Sequence, residues 1–288
     1  MVTPTEKRRK LRALLAGPDI IPALGCADPL SARLVQHMGL PAVHASGSAA
    51  HRSRGMADAG LLDMTEMVNH LRYLCDSVDI PVIGDADTGF GNVVNVVRTV
   101  REYERAGAAA MHIEDQLTPK RPAYQGYDAG FISRQEMVDK IRAAVDARTD
   151  EHLIIIARCD VSDVQERTER LQACLEAGAD VGWLTGHGPE GIQAFRKALP
   201  KDKPFLGVLP GGMSLRQYQE VGANCALIVG SLQIVALTAQ RQLLETIKST
   251  GNPRDYLQGL AELEAMTRFY SQQGNAELQD IEKRFGGG

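Results

Sequence analysis

The sequence predicts a (β/α)8 barrel, and three observations carry that reading. Eight short apolar runs recur along the chain, at 20–24, 42–45, 81–84, 109–113, 153–157, 181–184, 204–208 and 226–229. They are almost continuously apolar rather than alternating, as expected of strands buried on both faces of a parallel sheet. Helical patterns fall between most of them. The third observation is a joint that recurs four times: His37-Met38-Gly39-Leu40, Arg105-Ala106-Gly107-Ala108, Glu176-Ala177-Gly178-Ala179 and Glu220-Val221-Gly222-Ala223. Glycine just past a helix adopts positive φ and lets the last carbonyls be satisfied. Each joint therefore reads as a helix-to-strand loop of an alternating chain. Eight such strands close into a barrel. The alternative is a doubly wound open sheet. No Gly-x-Gly-x-x-Gly opens a helix after the first run, which counts against its dinucleotide-binding form.

Taken in order, the strongest helical patterns follow the third and fourth runs. Residues 92–106 place Val93, Val96, Val97, Val100 and Tyr103 at helical spacing. Residues 133–147 do the same with Met137, Ile141, Ala144 and Val145, and Ser133 with Glu136 forms a capping-box signature. Weaker patterns cover 167–176 and 190–199. After the eighth run the chain turns helical at 231–249, 253–270 and 276–285. A barrel needs about 250 residues, so this tail exceeds it. The expected organisation is one barrel domain over 1–288, with 231–288 as a C-terminal helical extension that packs on the barrel or on a neighbouring subunit.

Composition narrows the function classes. The chain has 288 residues with 44% hydrophobic and 24% charged, which fits a soluble globular protein and argues against disorder. Its net charge of −4 comes with no basic stripe, so nucleic acid is not an expected partner. No window approaches the ~18 apolar residues of a membrane span. Residues 1–12 are polar and basic with no apolar core behind them, unlike a signal peptide. Cys26, Cys75, Cys159, Cys174 and Cys225 form no Cys-x-x-Cys pair and are odd in number. They read as reduced, mostly buried thiols of a cytoplasmic protein.

Barrel enzymes work at the carboxyl ends of their strands, so the residues after each run carry the chemistry. After 81–84 comes Asp85-Ala86-Asp87-Thr88-Gly89-Phe90-Gly91-Asn92. Two carboxylates so close repel each other unless a cation sits between them. Alternatively, Asp87 is a turn residue and Asp85 a solvated strand end. After 109–113 comes Glu114-Asp115-Gln116, a second delivery of carboxylates from the neighbouring strand. Together they make an oxygen-rich cluster suited to Mg2+, with Mn2+ as the other option. Asp85, Asp87 and Glu114 are the candidate metal ligands, and His112 reads as a core histidine. Arg158, after 153–157, suits a carboxylate or oxo group, or a salt bridge to Asp85, Asp87 or Glu114. Ser46-Gly47-Ser48, after 42–45, reads as an anion nest or a plain loop. Asp58 lies in a loop that could cover the site.

These segments resemble the isocitrate lyase/phosphoenolpyruvate mutase superfamily. The likeness runs along essentially the whole chain. It rests on Ser46-Gly47-Ser48, the loop of Asp58, the Asp85–Asn92 segment, His112-Ile113-Glu114-Asp115-Gln116, Pro119-Lys120-Arg121 and Ile156-Ala157-Arg158. The resemblance implies a (β/α)8 barrel whose last helices swap between subunits, in a tetramer or dimer. It implies Mg2+ held by Asp85, with Asp87 and Glu114 in or near its shell. It implies a small 2-oxo or 2-hydroxy acid held by Ser46, Gly47, Ser48 and Arg158, with Arg158, Asp58 and Lys120 as catalytic candidates.

The departures from the family pattern bear on the reaction. Lyases of this family follow Lys-Arg with Cys-Gly-His, the cysteine protonating the departing enolate; here Pro122-Ala123-Tyr124 stands instead. Their glutamate after the next strand is replaced at about Thr185, and the asparagine after 204–206 by Gly207 or Val208. The branch of oxaloacetate decarboxylases also lacks the cysteine but carries a histidine near the position of Ser231, which this chain does not. His187 is the loop histidine that could stand in. Retro-aldol cleavage needs a base and an acid, whereas β-decarboxylation needs chiefly charge stabilisation. The expectation is therefore a Mg2+-dependent carbon–carbon lyase, a decarboxylase of an oxaloacetate-like substrate. The alternatives are a retro-aldol lyase for 2-methylisocitrate- or dimethylmalate-like substrates, an oxaloacetate or phosphonopyruvate hydrolase, and a keto-acid-binding member without turnover.

Overall fold

Each apolar run becomes a strand within one or two residues of its expected ends. The computed structural model describes residues 2–121, 130–184 and 189–286. The strands are β1 (Ile21–Cys26), β2 (Ala42–Ala45), β3 (Val82–Asp85), β4 (Ala110–Glu114), β5 (Ile154–Arg158), β6 (Val181–Leu184), β7 (Phe205–Val208) and β8 (Cys225–Ile228). All pair in parallel in chain order, and β8 returns to β1 to close the barrel. The open-sheet alternative is thereby excluded.

The helices between them are α2 (Pro29–His37), α3 (Gly47–Ser53), α4 (Met64–Ser77), α5 (Val93–Arg105), α6 (Arg134–Ala147), α7 (Val164–Glu176), α8 (Pro189–Ala198) and α9 (Leu215–Glu220). The four glycine joints hold: Gly39, Gly107, Gly178 and Gly222 have φ of 78°, 94°, 108° and 95°. They precede β2, β4, β6 and β8, so every second strand is entered through the same left-handed turn. Ser133 and Glu136 form the expected capping box on α6.

Helix α1 (Pro4–Ala16) has no counterpart in the sequence reading. Its Glu6 to Lys10 stretch looks like a solvated tail, yet Leu11 and Leu15, one turn apart, join the cluster that fills the barrel interior. Burying two leucines is worth about 1.5–3 kcal/mol each. The cations are used as well. Lys7 Nζ donates to Cys75 O at 2.8 Å, and Arg8 donates to Ala108 O, Glu104 O and Asp150 Oδ2 at 2.9, 2.6 and 2.7 Å. Long cationic stems thus pin α1 beneath the amino-terminal end of the barrel.

Residues Met1–Gln233 form one compact unit and Ile234–Gly288 another. Helix α10 (Ser231–Thr250) carries no buried residue. Ile234, Leu237 and Leu244, three and seven residues apart, are 65%, 64% and 64% exposed. The single helix expected over 253–270 is two, α11 (Arg254–Leu257) and α12 (Leu263–Ser271). The break comes where Glu262 adopts a left-handed φ of 62°, which no helix continues through. The last helix is α13 (Asn275–Phe285). All five cysteines are free and buried. No helix among the described residues is long and apolar enough to cross a membrane.

Candidate functional site

The carboxyl ends of β2 to β5 converge on one buried, charged cluster. Strand geometry sets this up: side chains two apart share a face. Inward positions on β2, β3, β4, β5 and β6 end in His44, Asp85, His112 with Glu114, Arg158 and Trp183.

Asp85 is 5% exposed and held on several sides. Its Oδ2 accepts the Gly47 N–H at 2.9 Å and its Oδ1 accepts the Asp87 N–H at 3.1 Å. Tyr103 on α5 donates its hydroxyl to the Asp85 carbonyl at 2.6 Å. A side chain at position 47 would begin 2.7 Å from Asp85 Oδ2, so the backbone approach requires glycine. The Gly47 N–H is thereby withdrawn from the anion nest read at Ser46-Gly47-Ser48. Ser46 caps α3, and the Gly47 N–H is already committed to Asp85.

The rest of the cluster is paired but not neutralised. Lys120 is buried against Asp87 and Asp58, 2.9 Å from Asp58 Oδ1. Arg158 Nη1 lies 3.0 Å from Glu114 Oε2. Its Nε and Nη2 donate to Asp160 at 3.0 and 2.6 Å, and its guanidinium sits 4.9 Å over the Trp183 ring. The salt bridge foreseen for Arg158 thus reaches Glu114 but neither Asp85 nor Asp87; Asp160 takes that place. Guanidinium has five N–H donors; the two hydrogen bonds to Asp160 leave two on Nη1 and one on Nη2, since the Glu114 contact is an ion pair that satisfies neither oxygen of Glu114 with a hydrogen bond. Asp160 is held in turn by Gln116 Nε2 at 3.0 Å, and Gln116 Oε1 accepts the Arg121 N–H at 3.2 Å.

Burial and charge compete at each carboxylate. Burial opposes ionisation of Asp85, but the positive charges of Lys120 and Arg158 work against it, and the group is held far below the ordinary range. Asp87 is raised by burial and by Asp85 and Asp58, against the pull of Lys120. Burial pushes Glu114 up to about 8 despite Arg158 and Lys120. Asp58, Asp85, Asp87 and Glu114 outnumber the cations paired with them. Asp87 Oδ2 and Glu114 Oε1 are buried without a hydrogen-bond partner. Carboxylate oxygens left without a partner fit a hard divalent cation, whose charge would favour their ionised forms.

Below Asp85 lies a histidine pair. His44 Nε2 and His112 Nε2 are 3.1 Å apart, and His112 Nδ1 is 3.6 Å from Asp85 Oδ1. The ligating atoms of His44, Asp85 and His112 all lie within 4.8 Å of one another. Burial lowers the two imidazoles to about 4 and about 3, so both are neutral. A third histidine, His51, spans the rim: it donates from Nδ1 to Gly47 O at 2.8 Å and accepts the Leu62 N–H at Nε2 at 3.1 Å.

Sequence reasoning missed Asp160, Gln116 as its partner, His44, His51 and Tyr103. The available signal for Asp160 was its place two residues beyond Arg158, the spacing that also relates Asp85 to Asp87. Pro122, Ala123, Tyr124, Thr185 and His187 lie outside the described residues.

The family model for phosphoenolpyruvate phosphomutase matches residues 11–248. A probable 2-methylisocitrate lyase of Corynebacterium glutamicum is 36% identical over 266 residues, covering 89% of this chain and 85% of that protein. The 2,3-dimethylmalate lyase of Eubacterium barkeri is 32% identical, covering 97% and 98%. The crystal structure of a phosphonopyruvate hydrolase complex with oxalate and Mg2+ superposes with a TM-score of 0.88 at 29% identity, covering all of both chains.

Proposed function

The chain belongs to the phosphoenolpyruvate mutase/isocitrate lyase superfamily, and from that premise we propose that it is a Mg2+-dependent carbon–carbon lyase that decarboxylates an oxaloacetate-like 2-oxo diacid. The observation that carries the proposal is the buried carboxylate cluster at the ends of β3 and β4, set beside a clamped arginine at the end of β5. Asp85, with Asp87 and Glu114 beside it, would hold the ion, and the orphaned oxygens of Asp87 and Glu114 support that fit. Magnesium, when bound, neutralises negative charge developing on the substrate's oxo oxygen. Mn2+ suits the same oxygens.

The chain's own residues do the positioning. Arg158, locked by Asp160, offers one N–H on each terminal nitrogen as a preformed fork for the substrate's 1-carboxylate. Ser46 and Ser48 stand at the rim as hydroxyl donors. Lys120, fixed between Asp58 and Asp87, keeps a positive charge buried beside the developing enolate. As the C3–C4 bond breaks, CO2 leaves with C4 and the electron pair moves into the C2 enolate. Water then protonates C3. Retro-aldol cleavage demands a positioned acid, and Pro122-Ala123-Tyr124 supplies no cysteine where the family's lyases have one. The names of the two relatives favour a second reading, retro-aldol cleavage of an alkylated malate or methylisocitrate.

We extend the proposal to assembly: the exposed apolar stripe of α10 packs against a second copy of the chain, giving a homo-oligomer. The test of function is a screen of oxaloacetate, methylated malates and phosphonopyruvate with Mg2+, read by product NMR. Pyruvate and CO2 from oxaloacetate, abolished by EDTA, are expected. Turnover indifferent to EDTA, or glyoxylate or phosphate as the dominant product, overturns the decarboxylase assignment.

A further inference from the structure

The His44–His112 pair is not among the residues proposed above to hold substrate, yet it lies inside the barrel next to Asp85. Two imidazoles are a costly choice there. His44 is 2% exposed and His112 0%, and His44 Nδ1 and His112 Nδ1 lack hydrogen-bond partners. A buried polar atom without a partner costs about 1–3 kcal/mol. An apolar pair would fill the space without that cost.

The protons can be placed. Neither ring reaches solvent, and burial disfavours a charge on either, so the 3.1 Å contact between the Nε2 atoms is bridged by one proton of a neutral pair. If His112 supplied it, the bare Nδ1 lone pair of His112 would face the Asp85 carboxylate at 3.6 Å, which is repulsive. If His44 supplies it, His112 carries its proton on Nδ1 and turns an N–H dipole toward Asp85. Only the second arrangement is attractive at both contacts. Trp183 braces the set, its ring centroid 4.4 Å from that of His112 and 6.1 Å from that of His44.

We propose that His44 locks His112 in the Nδ1–H tautomer, and that His112 is a positioning residue that orients Asp85 from beneath for a divalent ion. The proposal rests on the reading of Asp85 as a metal ligand. The Gly47 and Asp87 N–H groups fix Asp85 from the rim side; His112 fixes it from the barrel side. The carboxylate then keeps one orientation before the ion arrives. Partners of this kind contribute about 10–100-fold to metal affinity. A transition-metal site made of His44, Asp85 and His112 themselves is the rival use of the same atoms.

The test has two parts on the full-length protein. Long-range 1H–15N correlation of histidine-labelled, metal-free wild type should show protons on His112 Nδ1 and His44 Nε2. The reverse pattern overturns the proposal, and this part needs no variant to fold. Mn2+ affinity is then measured by electron paramagnetic resonance for wild type, His112→Phe and His112→Asn. The asparagine amide retains a donor near the Nδ1 position. Expected are about 10–100-fold weaker binding for His112→Phe and recovery to within a few-fold for His112→Asn. Wild-type affinity in His112→Phe overturns the positioning role and leaves the metal assignment standing. Absence of Mn2+ binding by wild type overturns the metal assignment and the positioning role with it. Loss of the His44 Nε2 proton signature on adding Mg2+ places the ion between the histidines and overturns the proposal.

Discussion

Replacing Arg158 with lysine perturbs the site where the structure is most explicit. The guanidinium makes two hydrogen bonds to Asp160, at 3.0 and 2.6 Å, forms an ion pair with Glu114 at 3.0 Å, and lies 4.9 Å over Trp183. An ammonium is one compact centre and cannot span Asp160, Glu114 and a substrate carboxylate together. At least one charge-assisted bond to the substrate is lost, about 1.5–3 kcal/mol, along with a cation–π contact of about 0.5–2 kcal/mol. A combined loss of ~2–5 kcal/mol corresponds to about a 30- to 5,000-fold fall in kcat/KM. The assay is steady-state turnover of oxaloacetate with saturating Mg2+, paired with oxalate inhibition. Oxalate should weaken in parallel, because it needs the same fork. A thermal melt controls for folding. A kcat/KM within threefold of wild type, with oxalate inhibition unchanged, would remove Arg158 from the substrate site.

Three further predictions test other parts of the account. Gly47→Ala places a methyl 2.7 Å from Asp85 Oδ2 and should lower Mg2+-dependent activity by at least about tenfold with the barrel still folded; wild-type kinetics would show that Asp85 needs no such close approach. For Asp150, burial opposes the charge, but bonds from Arg8, the His152 N–H and Thr5 bring the carboxyl down to about 2. That lies below the ~3.9 of an unfolded aspartate, so its stabilisation is complete above about pH 4 and fades as pH falls toward 2. Asp150→Asn should therefore cost stability at pH 6, about 1 kcal/mol for a partly exposed pair, with the two urea midpoints converging near pH 2; a gap that persists at pH 2 contradicts the assignment. Leu237→Glu with Leu244→Glu charges the exposed stripe of α10 and should reduce the mass measured by light scattering, whereas an unchanged mass removes that face from any interface.

How much of this was legible in the sequence follows from which interactions are local. Strands buried on both faces announce themselves by composition, and the four glycine joints by a steric demand that acts within one turn. Asp85, Asp87, Glu114 and Arg158 were legible because charge at the end of an apolar strand is unusual. Helix α1 was not, because its stability comes from contacts across the chain: Lys7 and Arg8 to carbonyls about 70 and 100 residues away. The break between α11 and α12 depends on one left-handed residue, Glu262, whose side chain gives no warning. The histidines illustrate the same limit. His112 reads correctly as a buried residue, but its alignment with His44 and Asp85 arises only when β2, β3 and β4 close side by side. Asp160 and Gln116 become partners through the pairing of β4 with β5. Residue type showed where charge collects; strand register decided what each charge holds.

The central claim is that acidic side chains at the barrel mouth hold a divalent ion against the substrate's oxo acid end. Its most direct test is a crystal structure with Mg2+ and oxalate. The account predicts an ion with an Asp85 oxygen at about 2.0–2.1 Å, Asp87 and Glu114 beside it, and oxalate within reach of Arg158. Oxalate bound at Arg158 with no ion at Asp85, or an ion bound away from these carboxylates, contradicts it.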